Sequence, residues 1–166
     1  MTSLSKVLTI AGATLLFAIT GCKKEGCKDP NADNYDSKAT ESTACYYRYA
    51  NAVVIHSFPA TKPDNSSWDS NNGPDIRVEF SRNATTGYDY QTETKDDQTG
   101  PGSYDVPSGI QFTNETWKYV VIDEDGLFDD NDIIATGTFN PLSSGSSGKI
   151  SIQNGGLNMD IEYITY

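Results

Sequence analysis

"TWKYVVIDEDGLFDDNDIIATGTF" (residues 116–139) decides how this chain is read. Two runs rich in β-branched and aromatic residues, "TWKYVVI" and "IIATGTF", flank residues 123–132, which hold six carboxylates and no Lys or Arg. Such runs fit a pleated, half-buried surface and read as strands. The acidic segment between them is harder to explain. Two like charges a few Å apart repel by about 4 kcal/mol at a surface dielectric of about 20. Either the segment is splayed into water, or something positive sits among the acids.

The same texture extends from Ala50 to the last residue. Eight short runs recur: "NAVVIHSF", "DIRVEFS", "YDYQTET", "GIQFT", "TWKYVVI", "IIATGTF", "KISIQ" and "MDIEYITY". Gly, Asn, Ser and Pro punctuate them, and no segment carries a 3.6-residue apolar period. Alternation places Ile76, Val78 and Phe80 on one face of their run, and Ile161 and Tyr163 on one face of theirs. The pattern predicts an all-β domain over residues 50–166, an eight-stranded antiparallel β-sandwich.

The chain opens "MTSLSKVLTIAGATLLFAITGCKK": one Lys, an apolar stretch from Val7 to Ile19, then small residues before Cys22. That order predicts a secretory signal peptide over residues 1–21, too short to span a bilayer. "AITGC" resembles a bacterial lipobox, which implies cleavage before Cys22 and lipidation of that cysteine. Ordinary secretion would instead leave Cys22 a thiol. The lipobox resemblance implies a protein held by lipid in the bacterial cell envelope, on the outer membrane or the cell surface. Export puts Cys27 and Cys45 in an oxidising compartment, where this pair most simply forms one disulfide. Its loop closure is worth about 3 kcal/mol in the chain-entropy model. Zinc fits poorly, with two thiols and a single histidine, His56.

Residues 22–49 have almost no apolar content and read as a disulfide-stapled spacer that cannot build its own core. Cys27, Asp29-Pro30, Ala32, Asn34-Tyr35, Ala39 and Cys45 resemble a short module of bacterial surface and secreted proteins. The module's Asp-Gly before the closing cysteine is replaced by "STAC", which puts any cation-binding habit of the module in doubt here.

The formal net charge is −11. Residues 22–49 carry five basic and five acidic side chains, whereas residues 50–166 carry six and eighteen. So acidic a domain repels nucleic acid and bare anionic lipid unless cations intervene. A merely soluble surface would spread its acids, and these cluster. One acidic loop reads "WDSNNGPDIRV", with Asp69 and Asp75 six apart; the other holds Asp123, Asp125, Asp129, Asp130 and Asp132. Sandwich loops gather at the two ends, so the loops can meet. Calcium takes six to eight hard oxygen ligands, which two converging acidic loops would supply.

These residues resemble the C2 domain family. Its first calcium loop has two Asp six apart, the second opening a strand; here these are Asp69 and "DIRV" from Asp75, with Ile76 in the usual place of Pro. Its third loop has Asp-x-Asp, a spacer, then Asp before an Ile-Ile pair; here these are Asp123, Asp125 and "DIIA" from Asp132, with Asp129, Asp130 or both in between. The resemblance implies Ca²⁺ bound by Asp69, Asp75, Asp123, Asp125, Asp130 and Asp132, and calcium-dependent attachment to phospholipid or protein. Leu127 and Phe128 stand at the loop tip, where family members place residues that dip into membranes. The basic strand patch that some members use for phosphoinositides is absent.

An EF-hand register exists with Gly126 at its sixth place, but its first ligand would be Val121 and no helical flanks are visible. Catalysis is not expected. No Gly-x-Ser-x-Gly or His-Glu-x-x-His is present, and His56 lies inside a strand run. Asp97, in the polar stretch "KDDQTG", reads as an ordinary solvated acid. Two function classes remain: a calcium-dependent docking module on a lipid tether, or a structural envelope lipoprotein whose calcium only stiffens the fold.

Overall fold

The computed structural model describes residues 23–70, 72–126, 130–145 and 147–166. The expected signal peptide and Cys22, and the loop-tip pair Leu127 and Phe128, lie outside the described residues. Ten strands follow one another: β1 Glu25–Gly26, β2 Glu41–Ser42, β3 Arg48–Ser57, β4 Ile76–Arg82, β5 Tyr90–Gln91, β6 Gly102–Asp105, β7 Trp117–Asp123, β8 Asp132–Phe139, β9 Lys149–Asn154 and β10 Leu157–Thr165. The last eight form two four-stranded antiparallel sheets, ordered β6-β3-β10-β9 and β5-β4-β7-β8. The described residues are all-β, and these eight strands form a sandwich.

Period-two alternation builds the core. Val53, Ile55, Met159 and Ile161 from one sheet meet Ile76, Val78, Phe80 and Val121 from the other, all fully buried. Phe112 packs edge-on against Trp117 (5.2 Å) and against Phe139 (6.1 Å). Such pairs add about 0.5–1.5 kcal/mol each beyond area burial.

One expected strand is absent. "GIQFT" touches β3 only through an isolated bridge between Gln111 and Tyr49, while "GSYD" at 102–105 forms β6 on the same strand. The two pieces run along one edge of β3, separated by Val106-Pro107-Ser108-Gly109. Pro107 has no amide to donate and so interrupts the ladder. Ile110 and Phe112 still reach the core, which is why the run looked like a strand.

The Cys27–Cys45 disulfide closes the spacer, and the parallel β1–β2 pair lies beside it. The spacer docks on the sandwich. Tyr47 and Tyr166 exchange backbone hydrogen bonds (2.7 and 3.1 Å), Tyr47 Oη donates to Asp29 (2.8 Å), and Asn114 N donates to Asn31 Oδ1 (3.0 Å). Arg48 is the hub. It is only 7% exposed, pairs with Asp33 through Nε (2.7 Å), donates to the carbonyl of Pro141, and lies 4.4 Å from the Tyr163 ring centre.

Candidate metal centre

The acidic loops meet at the sandwich end opposite Arg48. β7 is the central strand there and ends in Asp123, which faces Ile76 of β4 on one side and Asp132 of β8 on the other. Asp123 is 0% exposed. Gly126 then turns the chain with a φ of 79°, a conformation that other residues adopt only with strain.

Asp123 Oδ1 accepts the Asp75 amide at 2.7 Å, and the Asp75 carbonyl accepts the Glu124 amide at 2.8 Å, which ties the two acidic loops together. Asp123 Oδ2 is buried with no hydrogen-bond partner. Among the described residues, Tyr104 Oη and Trp117 Nε1 share that state, but both are neutral. A buried carboxylate without a counter-charge costs far more than either. Burial pushes the Asp123 carboxyl up to about 6, with Asp69, Asp125 and Asp75 adding repulsion against the opposing Asp75 amide bond.

Asp69 and Asp125 complete the cluster. One carboxylate oxygen from each of Asp69, Asp123 and Asp125 lies within 4.8 Å of the others. A single calcium ion, with ligand distances of about 2.3–2.6 Å, can touch three oxygens so spaced. Burial also raises the Asp69 carboxyl, helped by Asp75, Asp125 and Asp97. Softer metals would ask for nitrogen or sulfur, whereas these donors are all hard oxygens of the kind that suit Ca²⁺, Mg²⁺ or Mn²⁺.

The other acids are placed differently. Asp75 Oδ1 accepts the Asp97 amide at 2.8 Å. Asp132 forms an ion pair with Lys62. Asp130 is exposed, and Asp129 lies outside the described residues. Glu124 turns away to Arg77 and Thr94; the Thr94 hydroxyl, then Arg77, hold its carboxyl below the ordinary range against its burial. Asp97 is not the bystander its polar surroundings suggest: its amide holds Asp75, and Asn72 donates to its carboxylate. Beside the cluster lies an open cavity of about 530 Å³, with Asp69, Trp68, Phe58 and Gln98 on its wall.

No protein-family model matches this chain, and no curated protein matches it. Among solved structures it is similar to human GIVD cytosolic phospholipase A2 in complex with methyl gamma-linolenyl fluorophosphonate. The TM-score is 0.52 at 13% identity, over 74% of this chain and 17% of that one. At that identity the likeness is one of fold, and it spans about a sixth of the longer protein.

Proposed function

We propose that this chain is a calcium-binding cell-envelope lipoprotein whose C2-like domain docks onto a membrane or a protein when calcium is bound. One observation carries the calcium reading: the buried, unpartnered oxygen of Asp123, in a carboxylate within reach of Asp69 and Asp125. A protein that fully buries an unpaired carboxylate beside two others is destabilised unless a cation joins them. The fold likeness supports a sandwich of this kind and says nothing of enzymatic chemistry. We read the domain as a binding module, anchored through Cys22 by the lipobox resemblance.

The test is a thermal melt with and without calcium. At the affinities usual for extracellular modules, about 10⁻⁴–10⁻³ M, a few millimolar calcium should stabilise the fold by about 1–2 kcal/mol. Magnesium should do less, because it releases its water reluctantly. Asp125→Asn should lose the response, and Asp89→Asn, just before β5 and beside the end of β4 remote from Ile76, should keep it. A wild-type melt that ignores calcium ends the reading.

The alternative, that calcium only stiffens the fold, draws on the Asp75–Asp123 link, which already joins the two loops through the centre. Co-sedimentation with vesicles containing phosphatidylserine separates the two readings. Pelleting that depends on calcium supports docking to lipid.

A further inference from the structure

The acidic end carries a cation of its own. Lys62 is the only basic residue between Phe58 and Asp75. A tight turn fixes its backbone: Lys62 N donates to the Ser66 carbonyl and Asn65 N to the Lys62 carbonyl, both at 2.9 Å. Asn65 takes a φ of 70°, and Asp64 Oδ1 accepts both the Ser66 amide (2.9 Å) and its hydroxyl (2.6 Å). From that turn the ammonium passes 6.0 Å from the Trp68 ring centre and pairs with Asp132. The side chain is three-quarters buried, so the pair is partly shielded from solvent.

This divides the acids. Asp69, Asp123 and Asp125 converge on one point, and Asp132, next to Asp123 in the sheet, is held by the lysine instead. We propose that the site takes one divalent cation and that Lys62 fills the place of a second, so that this lysine sets the number of ions bound. The inference rests on the calcium reading above. An ammonium close enough to feel the charges of Asp125 and Asp123 repels a divalent ion held between them and withholds the Asp132 oxygens. A neutral side chain would release both effects together.

Calorimetric titration of the full chain with calcium alone tests it. Wild type should bind one equivalent, and so should Lys62→Arg. Lys62→Met and Lys62→Gln should each bind two, with the first about tenfold tighter once a unit positive charge has left its surroundings. The double variant Lys62→Met/Asp132→Asn should return to one. Circular dichroism establishes that each variant is folded, and two neutral replacements guard against a local defect in either. Two equivalents in wild type would mean that the lysine swings aside, and would overturn the proposal. So would one equivalent at unchanged affinity in both neutral variants, or two in the double variant. No calcium binding in wild type would instead strike the calcium reading itself, and this inference with it.

Discussion

The two ends of the sandwich bury opposite charges and treat them differently. At one end Arg48 is surrounded by the Asp33 carboxylate, two backbone carbonyls from the turn after β8, and the face of Tyr163. At the other, Asp123 has one amide donor, an unpartnered oxygen and two further carboxylates close by. A charge that is buried and fully paired completes a fold, and one that is buried and half paired waits for a ligand. That contrast matches a structural role for the spacer end and the binding role proposed above for the loop end.

The largest effect should come from breaking the satisfied end. Arg48→Met should destabilise the protein by about 3 kcal/mol, because Asp33 and the carbonyls lose their donor together. Chemical denaturation with and without calcium checks it, and a loss that calcium reverses would contradict the division of roles.

A third buried group sharpens the comparison. Asp160, on β10, is also a buried carboxylate, but it receives Lys149 (2.7 Å), Ser151 (2.6 Å) and His56 (3.0 Å). Burial alone would raise its carboxyl; these donors outweigh burial and bring it down to about 2. Its stabilisation, about 2 kcal/mol, is therefore complete above pH about 3.8 and is lost as pH falls through about 2. Acid unfolding followed by fluorescence should show this loss in wild type and not in Asp160→Asn. Asp123 runs the other way. Its cost is absent below pH about 3.8 and complete above about 6. Without metal at pH 7, Asp123→Asn should therefore stabilise the fold, by about 1–2 kcal/mol, while losing the calcium response. Destabilisation by that variant would mean that Asp123 is a structural acid like Asp160.

Much of the sandwich was legible because two faces demand period-two alternation, and Ile76, Val78, Phe80, Ile161 and Tyr163 all bury as that period requires. β6 was missed because "GSYD" offers only Tyr104 to the core, while "GIQFT" carries two apolar residues without a ladder. Spacing grouped Asp69, Asp75, Asp123, Asp125, Asp130 and Asp132 at one sandwich end, since its loops share one place, and could not show that Asp69, Asp123 and Asp125 are the ones that converge. It could not show that Lys62 would fold onto Asp132, a pairing 70 residues apart, although a lone basic residue in an acidic loop was a signal. Nor could it show that the spacer docks. Arg48 looks like any surface arginine until Asp33 and Tyr163 are seen around it.

The docked spacer also has a mechanical consequence. Tension entering ahead of Lys24 reaches the sandwich at Arg48, the start of β3, which lies between β6 and β10 in its sheet. Such a strand yields only when the hydrogen bonds on both flanks shear together, so it resists longer than an edge strand that can be unzipped one bond at a time. The Cys27–Cys45 bridge meanwhile withholds 18 residues of slack, about 60 Å of contour length, from any pull. Because β3 runs from Arg48 to Ser57, the acidic loops sit about 30 Å beyond the point where the force enters.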